Sequence, residues 1–327
     1  MGKGMSAAMN SRDCLIGCTG FVGAALLRAR DFAGQYHSAN IAELPGQSYD
    51  TLVCAAAPAT MWAANANPSA DKANLRRIAD AIKQTRVGRL VLISTIAVLA
   101  DPAAGFTEST ARFEDKKPYG RHRRELELDL AAHFERLHVI RLPALFGPGL
   151  KKNLVFDLIN PSPSFLRPDL FERLSATLPA NAATALHTFY SFRPDLKMWE
   201  LDRTRLNGSG ERPALENALE HCGLTASSFT NGSSSFQFYN IDRLASDIDW
   251  VVAQDIAWLN ICSEPLKANE ISHSLAKRPI APNNAAEYLE HMRSDHSGRF
   301  GGAGPYLYSR ETVLDELRAY YSAATAI

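Results

Sequence analysis

The stretch Cys14-Leu-Ile-Gly-Cys-Thr-Gly-Phe-Val-Gly23 decides the fold. A short apolar run ends in Gly17, Gly20 and Gly23, and the helix-forming Ala24-Ala-Leu-Leu27 follows at once. A strand that turns directly into a helix leaves unbonded N–H groups and the positive end of the helix dipole above the turn. Such a setting attracts phosphate. Gly17 allows the tight turn, Gly20 the close approach of backbone to a pyrophosphate, and Gly23 the packing of helix on strand. The spacing is G-x-x-G-x-x-G, and its strand–turn–helix context points to a dinucleotide. Phe21 and Val22, in the first helical turn, belong to the same expected site.

Outward from this turn, strand and helix signals alternate. Gln35–Ser38 reads as a short strand, and Asp50–Ala57 as a buried one closed by Pro58. Asn67-Pro68 opens a helix with Leu75, Ile78, Ala79 and Ile82 on one face. Arg89–Thr95 and His138–Leu142 are further strands, separated by a long polar helix over roughly Tyr119–Phe134. Buried strands alternating with helices predict a parallel sheet covered on both faces. Its core should hold Leu52, Val53, Leu90, Val91, Leu92, Ile93, Val139 and Ile140. The interval from Ser38 to Asp50 is too short for a helix and a strand, so one unit of the usual sheet is expected to be trimmed.

Beyond Gly147 the rhythm changes. Residues 161–235 are rich in Pro, Ser and Asn, with a helix signal at Ala214–His221. Strand-like pieces return at Phe236–Ile241 and Trp258–Ile261, and an amphipathic stretch covers Arg310–Tyr321. The expected class is α/β. A Rossmann-like doubly wound parallel sheet is expected to bind NAD(P) over residues 11–150, with a smaller C-terminal substrate-binding lobe expected over 151–327, partly interleaved with the sheet.

Of 327 residues, 46% are hydrophobic and 21% charged, and 35 basic side chains balance 35 acidic ones. That balance argues for a soluble globular protein and against a nucleic-acid binder or a polybasic membrane protein. Five cysteines without a C-x-x-C pair suggest buried free thiols in a reducing, cytoplasmic setting, with no metal site. No apolar run reaches the length of a membrane span. Met1–Ser6 fits the formal N-myristoylation pattern, but without a second membrane signal it reads as an unstructured start. His122, His133 and His138 lack metal-ligand spacing and are expected on the surface. The expected partner is a small molecule, and a homodimer is admissible.

Together with the glycine turn, several segments resemble the extended short-chain dehydrogenase/reductase family, its NAD-dependent epimerase/dehydratase group. Asp50 through Ala55, Ala56 and Ala57 resembles a small-residue strand end, and Asn67-Pro68 with Asn74 the start of the next helix. Ile93-Ser94-Thr95 resembles the catalytic strand end, and Tyr119-Gly-Arg-His-Arg123 the Tyr-x-x-x-Lys motif. Arg141-Leu142-Pro-Ala144-Leu-Phe-Gly-Pro148 nearly matches the strand that runs into Tyr-Gly-Pro. Phe236–Ala245 and Leu259–Pro265 resemble later segments of the family.

The resemblance implies roles. Tyr119 would be the acid/base, Thr95 the hydrogen-bonding partner of the reacting oxygen with Ser94 as deputy, and Arg123 the cation that favours phenolate. Tyrosine has a reference pKa near ~10, so such a charge matters near neutrality. Arginine in place of lysine keeps the charge, but its planar fork must contact the cofactor ribose differently. Tyr119, Arg123 and Leu142 would also border the cofactor. Nucleotide-sugar enzymes of the family often carry Asn where this chain has Ala144, and Arg where it has Phe236. Lys151-Lys152-Asn153 could replace that anion grip, and Trp62 could line the pocket. The apparent second strand ends in Ser38, Ala39 and Asn40, with no carboxylate before Glu43 and no obvious arginine, so NAD or NADP is admitted. The resulting expectation is an NAD(P)-dependent oxidoreductase or epimerase/dehydratase acting on a hydroxyl or carbonyl of a polar, sugar-nucleotide-derived substrate. Its competitor is a non-catalytic dinucleotide-binding redox sensor or assembly subunit.

Overall fold

In the computed structural model, which describes residues 12–302 and 304–326, the first strand β1 (Cys14–Ile16) is fully buried. It turns at Gly17 into helix α1 (Phe21–Ala29), with Gly20 at the N-cap. Met1–Ser6 and the expected domain start at residue 11 lie outside the described residues. The chain then returns through β2 (Gly34–Tyr36), and a single short helical turn, Ile41–Glu43, links it to β3 (Ser48–Cys54). Helices α2 (Met61–Ala66) and α3 (Pro68–Lys83) follow. Asn67 caps α3 by accepting the Ala70 N–H at 3.2 Å, and Pro68 fills the first helical position, where no donor is needed. Strand β4 (Arg86–Thr95), helix α4 (Pro118–Ala131) and strand β5 (Leu137–Leu142) complete this run.

The sheet is parallel throughout, in the order Trp258–Asn260, β5, β4, β3, β1, β2. Between β1 and β3 the chain changes direction across the sheet, which opens a crevice at their carboxyl ends. Because the β2–β3 interval holds one helical turn, β2 is the edge strand. Leu52, Val53, Leu90, Val91, Leu92, Ile93, Val139 and Ile140 are all buried in this sheet, as its apolar runs require. Leu75, Ile78, Ala79 and Ile82 of α3 pack with Leu126 and Leu130 of α4 on one face of it.

The described chain forms two compact units. One holds the residues up to Leu150 together with Gln237–Pro265 and Leu289–Val313. The other holds Lys151–Phe236, Leu266–Tyr288 and the residues from Leu314 on. The second unit has its own core. Helices Pro168–Thr177, Ala180–Phe189 and Arg212–His221 gather Leu170, Phe171, Leu174, Leu186, Leu215 and Leu219. An antiparallel three-stranded sheet of Phe165–Leu166, Met198–Leu201 and Tyr190–Arg193 belongs to it, with Trp199 stacked on Phe171 at 3.8 Å. Among the described residues no helix is long and apolar enough to cross a membrane.

Candidate active site

The three glycines of the first turn are glycine for different reasons. Gly17 has φ +92°, and a Cβ there would lie 2.5 Å from the Ala55 carbonyl oxygen. A Cβ at Gly23 would lie 2.1 Å from the Gly17 oxygen. Both are demanded by the fold, and Gly23 packs beneath the turn rather than facing a ligand. Gly20 has φ −80°, and its Cβ would meet only the Gly17 oxygen, at 3.3 Å. The protein nearly tolerates a side chain there, so the reason for glycine lies above the turn. The N–H groups of Gly17 and Cys18 donate to the Tyr36 carbonyl at 2.7 and 3.3 Å, tying the turn to the end of β2.

Gly17, Gly20, Phe21, Val22, Ser38, Ala55, Ala56 and Ala57 line one groove at the carboxyl ends of β1 and β3. His37, Asn74 and Arg77 line it too, and no carboxylate does. Arg77 donates to Asn74 Oδ1 at 3.2 Å. Arg77 reaches this groove from α3, far along the chain from β2. His37 Nδ1 accepts the Ala39 N–H at 3.3 Å, so the neutral ring carries its proton on Nε2. Asn40 does not face the groove. Its Oδ1 accepts the His37 N–H at 2.7 Å and its Nδ2 donates to Gln35 O at 3.1 Å, closing the turn after β2.

A second pocket holds Ser94, Thr95, Tyr119, Arg123, Leu142 and Pro143. It shares Val22, Ala55, Ala57, Ala59 and Leu145 with the glycine groove, so the two are continuous. Tyr119 and Arg123 stand one turn apart on α4. Asn65 Oδ1 accepts the Tyr119 N–H at 3.0 Å, satisfying a donor that the first helical turn leaves open. Gly120 lets α4 settle on the turn after β4, since a Cβ would lie 2.0 Å from the Ala97 oxygen. Thr95 ends β4, where its hydroxyl accepts the Ala97 N–H at 3.2 Å and reaches the Tyr119 phenol. Burial pushes Tyr119 above its ordinary value. The Arg123 charge and the Thr95 hydroxyl oppose this, while the Asp71 carboxylate adds to it.

Ser94 faces a different network. Its hydroxyl donates to Glu127 Oε1 at 2.6 Å, and Glu127 is completely buried. Arg141 binds that carboxylate with both Nε (3.0 Å) and Nη2 (2.9 Å), and Arg124 adds a bond at 2.8 Å. Ser94 therefore holds α4 against the sheet, and its proton is not available to a reacting oxygen.

Other residues singled out in the sequence lie elsewhere. Trp62 is 65% exposed and lines neither pocket. Ala144 sits in the strand Ala144–Phe146 between the lining residues Pro143 and Leu145, and its N–H donates to Gln237 O. Lys151, Lys152, Asn153 and Phe236 belong to the second unit. There Asn153, at φ 112°, caps the helix Leu154–Ile159 by accepting the Val155 and Phe156 N–H groups. Phe236 packs on Tyr288 with ring centres 6.0 Å apart. Two histidines expected on the surface are buried. His122 pairs with Asp71 at 2.8 Å, and His138 bonds the Ile256 carbonyl at 2.8 Å, while His133 is exposed. Of the cysteines, Cys14, Cys18, Cys54 and Cys262 are buried and Cys222 is exposed.

Residues 36–161 match the model of the NAD dependent epimerase/dehydratase family. Over this stretch the chain is similar to that family. Solved structures with the same fold extend the likeness over nearly the whole chain. RMD from Pseudomonas aeruginosa, complexed with NADPH, is 16% identical with a TM-score of 0.60, covering 97% of this chain and 98% of its own. UDP-N-acetylglucosamine 4-epimerase from Methanobrevibacter ruminantium M1, in complex with UDP-N-acetylmuramic acid, is 14% identical with a TM-score of 0.58, covering 96% and 97%. dTDP-4-dehydrorhamnose reductase from Yersinia enterocolitica is 14% identical with a TM-score of 0.57, covering 96% and 99%. A comparison with curated proteins finds no match.

Proposed function

We propose that this protein is an NAD(P)-dependent oxidoreductase or epimerase/dehydratase acting on a hydroxyl or carbonyl of a polar, sugar-nucleotide-derived substrate. The observation that carries this reading is the continuity of the glycine groove with the pocket of Thr95 and Tyr119. The groove fits a dinucleotide. Gly20 leaves its backbone approachable, the first turn of α1 offers N–H donors, and small Ala55, Ala56 and Ala57 form the opposite wall. When bound, the nicotinamide supplies the centre that gives or takes hydride. Tyr119 then gives or takes the proton of the reacting oxygen, and Thr95 orients that oxygen by a hydrogen bond. Arg77, the Nε2–H of His37 and Ser38 suit the 2′-phosphate of NADP, and the absence of a carboxylate in the lining removes the group that would repel it.

Sugar nucleotides are the favoured substrate class because the similar folds include an epimerase bound to a UDP sugar and a dTDP-sugar reductase. Substrate selection is assigned to the second unit, with Lys151, Lys152 and Asn153 as its anion-binding candidates. Phe236 and Ala144 cannot supply charge or an amide.

The test is a cofactor-absorbance assay with NADPH, NADH and their oxidised forms against sugar nucleotides, free sugars and simpler carbonyl compounds. Replacing Tyr119 by Phe removes the transferable proton and keeps the ring. Turnover is expected to fall by roughly 100- to 10,000-fold with dinucleotide affinity little changed. Turnover undiminished in Tyr119→Phe would sink the mechanism. One observation favours a second reading, a binding protein without turnover: all four η N–H groups of Arg123 are engaged inside the protein. Tight dinucleotide binding with no turnover across the panel would support it.

A further inference from the structure

Arg123 stands where the family resemblance calls for lysine. Asp71 of α3 is buried and takes the guanidinium on both oxygens, Nη1 to Oδ2 at 3.1 Å and Nη2 to Oδ1 at 3.2 Å. The same carboxylate accepts His122 Nδ1 at 2.8 Å. The remaining η protons of Arg123 go to Tyr119 O at 2.9 Å and Pro58 O at 2.6 Å. A guanidinium has five N–H donors, and of these only the Nε proton lacks a protein partner. The guanidinium carbon lies 3.6 Å from the centre of the Tyr119 ring, so the cation is stacked on the phenol. A lone lysine would bring an uncompensated charge to the tyrosine. Here a carboxylate in the same dry cluster offsets it.

We propose that Asp71 is the positioning residue of this site: it clamps and neutralises Arg123, so that Tyr119 stays protonated and serves as proton donor to a carbonyl. The inference rests on the proposed reading of Tyr119 as the acid/base group. It names the direction, carbonyl reduction. The substrate's carbonyl carbon gains a hydride, with its electron pair, from a reduced nicotinamide dinucleotide, which is thereby oxidised. The carbonyl π pair moves onto oxygen, the Tyr119 O–H bond breaks, and its proton forms the product hydroxyl. Solvent water then restores the proton to Tyr119. The groups acting on Tyr119 include Thr95 from β4, Arg123 from α4 and Asp71 from α3, and His122 of α4 bonds the Asp71 carboxylate. The Asp71 charge raises Tyr119, against the effect of Arg123.

The test reads the phenol directly in the cofactor-free protein. Tyrosines labelled with ¹³C at Cζ are titrated by NMR, and the Tyr119 signal is identified by its loss in Tyr119→Phe. In the parent, this signal should stay in the phenol form to about pH 10. In Asp71→Asn, Arg123 is no longer offset, and the phenol should titrate about one unit lower or more. Asp71→Glu should return it towards the parent. The alkaline limb of the carbonyl-reduction profile should move with it. A Tyr119 that titrates in Asp71→Asn at or above the parent value overturns the proposal, and so does a fall that Asp71→Glu leaves in place, since burial also raises Tyr119 and loosening of α3 would lower it whatever the charge. Losing one partner of a buried pair is destabilising, so Asp71→Asn is first checked for folding. If it does not fold, the parent alone decides: a Tyr119 ionising well below about pH 10 overturns the inference. Titrations as expected without turnover would uphold Asp71's role and sink the enzyme reading. Turnover with a titration indifferent to Asp71 would sink this inference alone.

Discussion

Gly20 separates what the fold needs from what a ligand needs. Gly17 and Gly23 are held by a positive φ or by backbone oxygens within 2.5 Å of any added Cβ, and either would be replaced only with local rearrangement. Gly20 carries neither constraint. Gly20→Val should therefore cost on the order of 1 kcal/mol, the scale of an unfavourable N-cap, and leave the melting profile close to the parent's. It should abolish dinucleotide binding by calorimetry, because the side chain projects into the groove. Binding equal to the parent's would mean that no phosphate approaches this turn. The glycine turn was legible because its geometry is encoded within ten consecutive residues. Tyr119 and Arg123 were legible for the same reason, being one helical turn apart. Asp71, Asn65 and Pro58 were not. They meet Tyr119 or Arg123 across sequence separations of 52, 54 and 65 residues, which only the packing of α2 and α3 on α4 closes.

At the scale of elements, α4 shows how a polar sequence can be a core helix. Its residues read as a long polar helix, yet His122, Arg123 and Glu127 are all buried. Each is paired: Arg123 and His122 with Asp71, Glu127 with Arg141, Arg124 and Ser94. Hydropathy periodicity cannot register such a face, because burial here follows charge pairing. The same helix depends on Gly120. In an exposed helix, Gly→Ala would gain about 1 kcal/mol. Against the Ala97 carbonyl the added methyl must displace backbone, at roughly 1–3 kcal/mol. The second effect wins at a contact of 2.0 Å, so Gly120→Ala should lower stability and draw Tyr119 away from Thr95. A denaturant melt and the turnover assay check it together. A stabilised variant would show that α4 can ride away from the turn at no cost.

For the molecule as a whole, the chain passes between its two units at 150/151, 236/237, 265/266, 288/289 and 313/314. The segments that return to the first unit include strands of three residues, Phe238–Asn240 and Trp258–Asn260. Runs this short carry too little pattern to reveal which sheet they join, and this is why the sequence locates the strands but not their partners. Their partners are now explicit. Trp258–Asn260 pairs with β5, with Val139 donating to Ala257 O and Ile261 to Arg141 O. Phe238–Asn240 pairs with Ala144–Phe146, and Asn260 Oδ1 lies 3.4 Å from Arg141 Nη1 beside the buried Glu127 network. A chain ending at Leu150 would keep the glycine turn, Thr95 and Tyr119 but leave β5 with a bare, apolar edge. Such an edge pairs with other chains rather than with water. The shortened protein is therefore expected to aggregate, or to lack a cooperative thermal transition by circular dichroism, and to bind no dinucleotide. A soluble, cooperatively melting fragment would mean that the first five strands stand alone. The returning strands would then serve the second unit rather than complete the first.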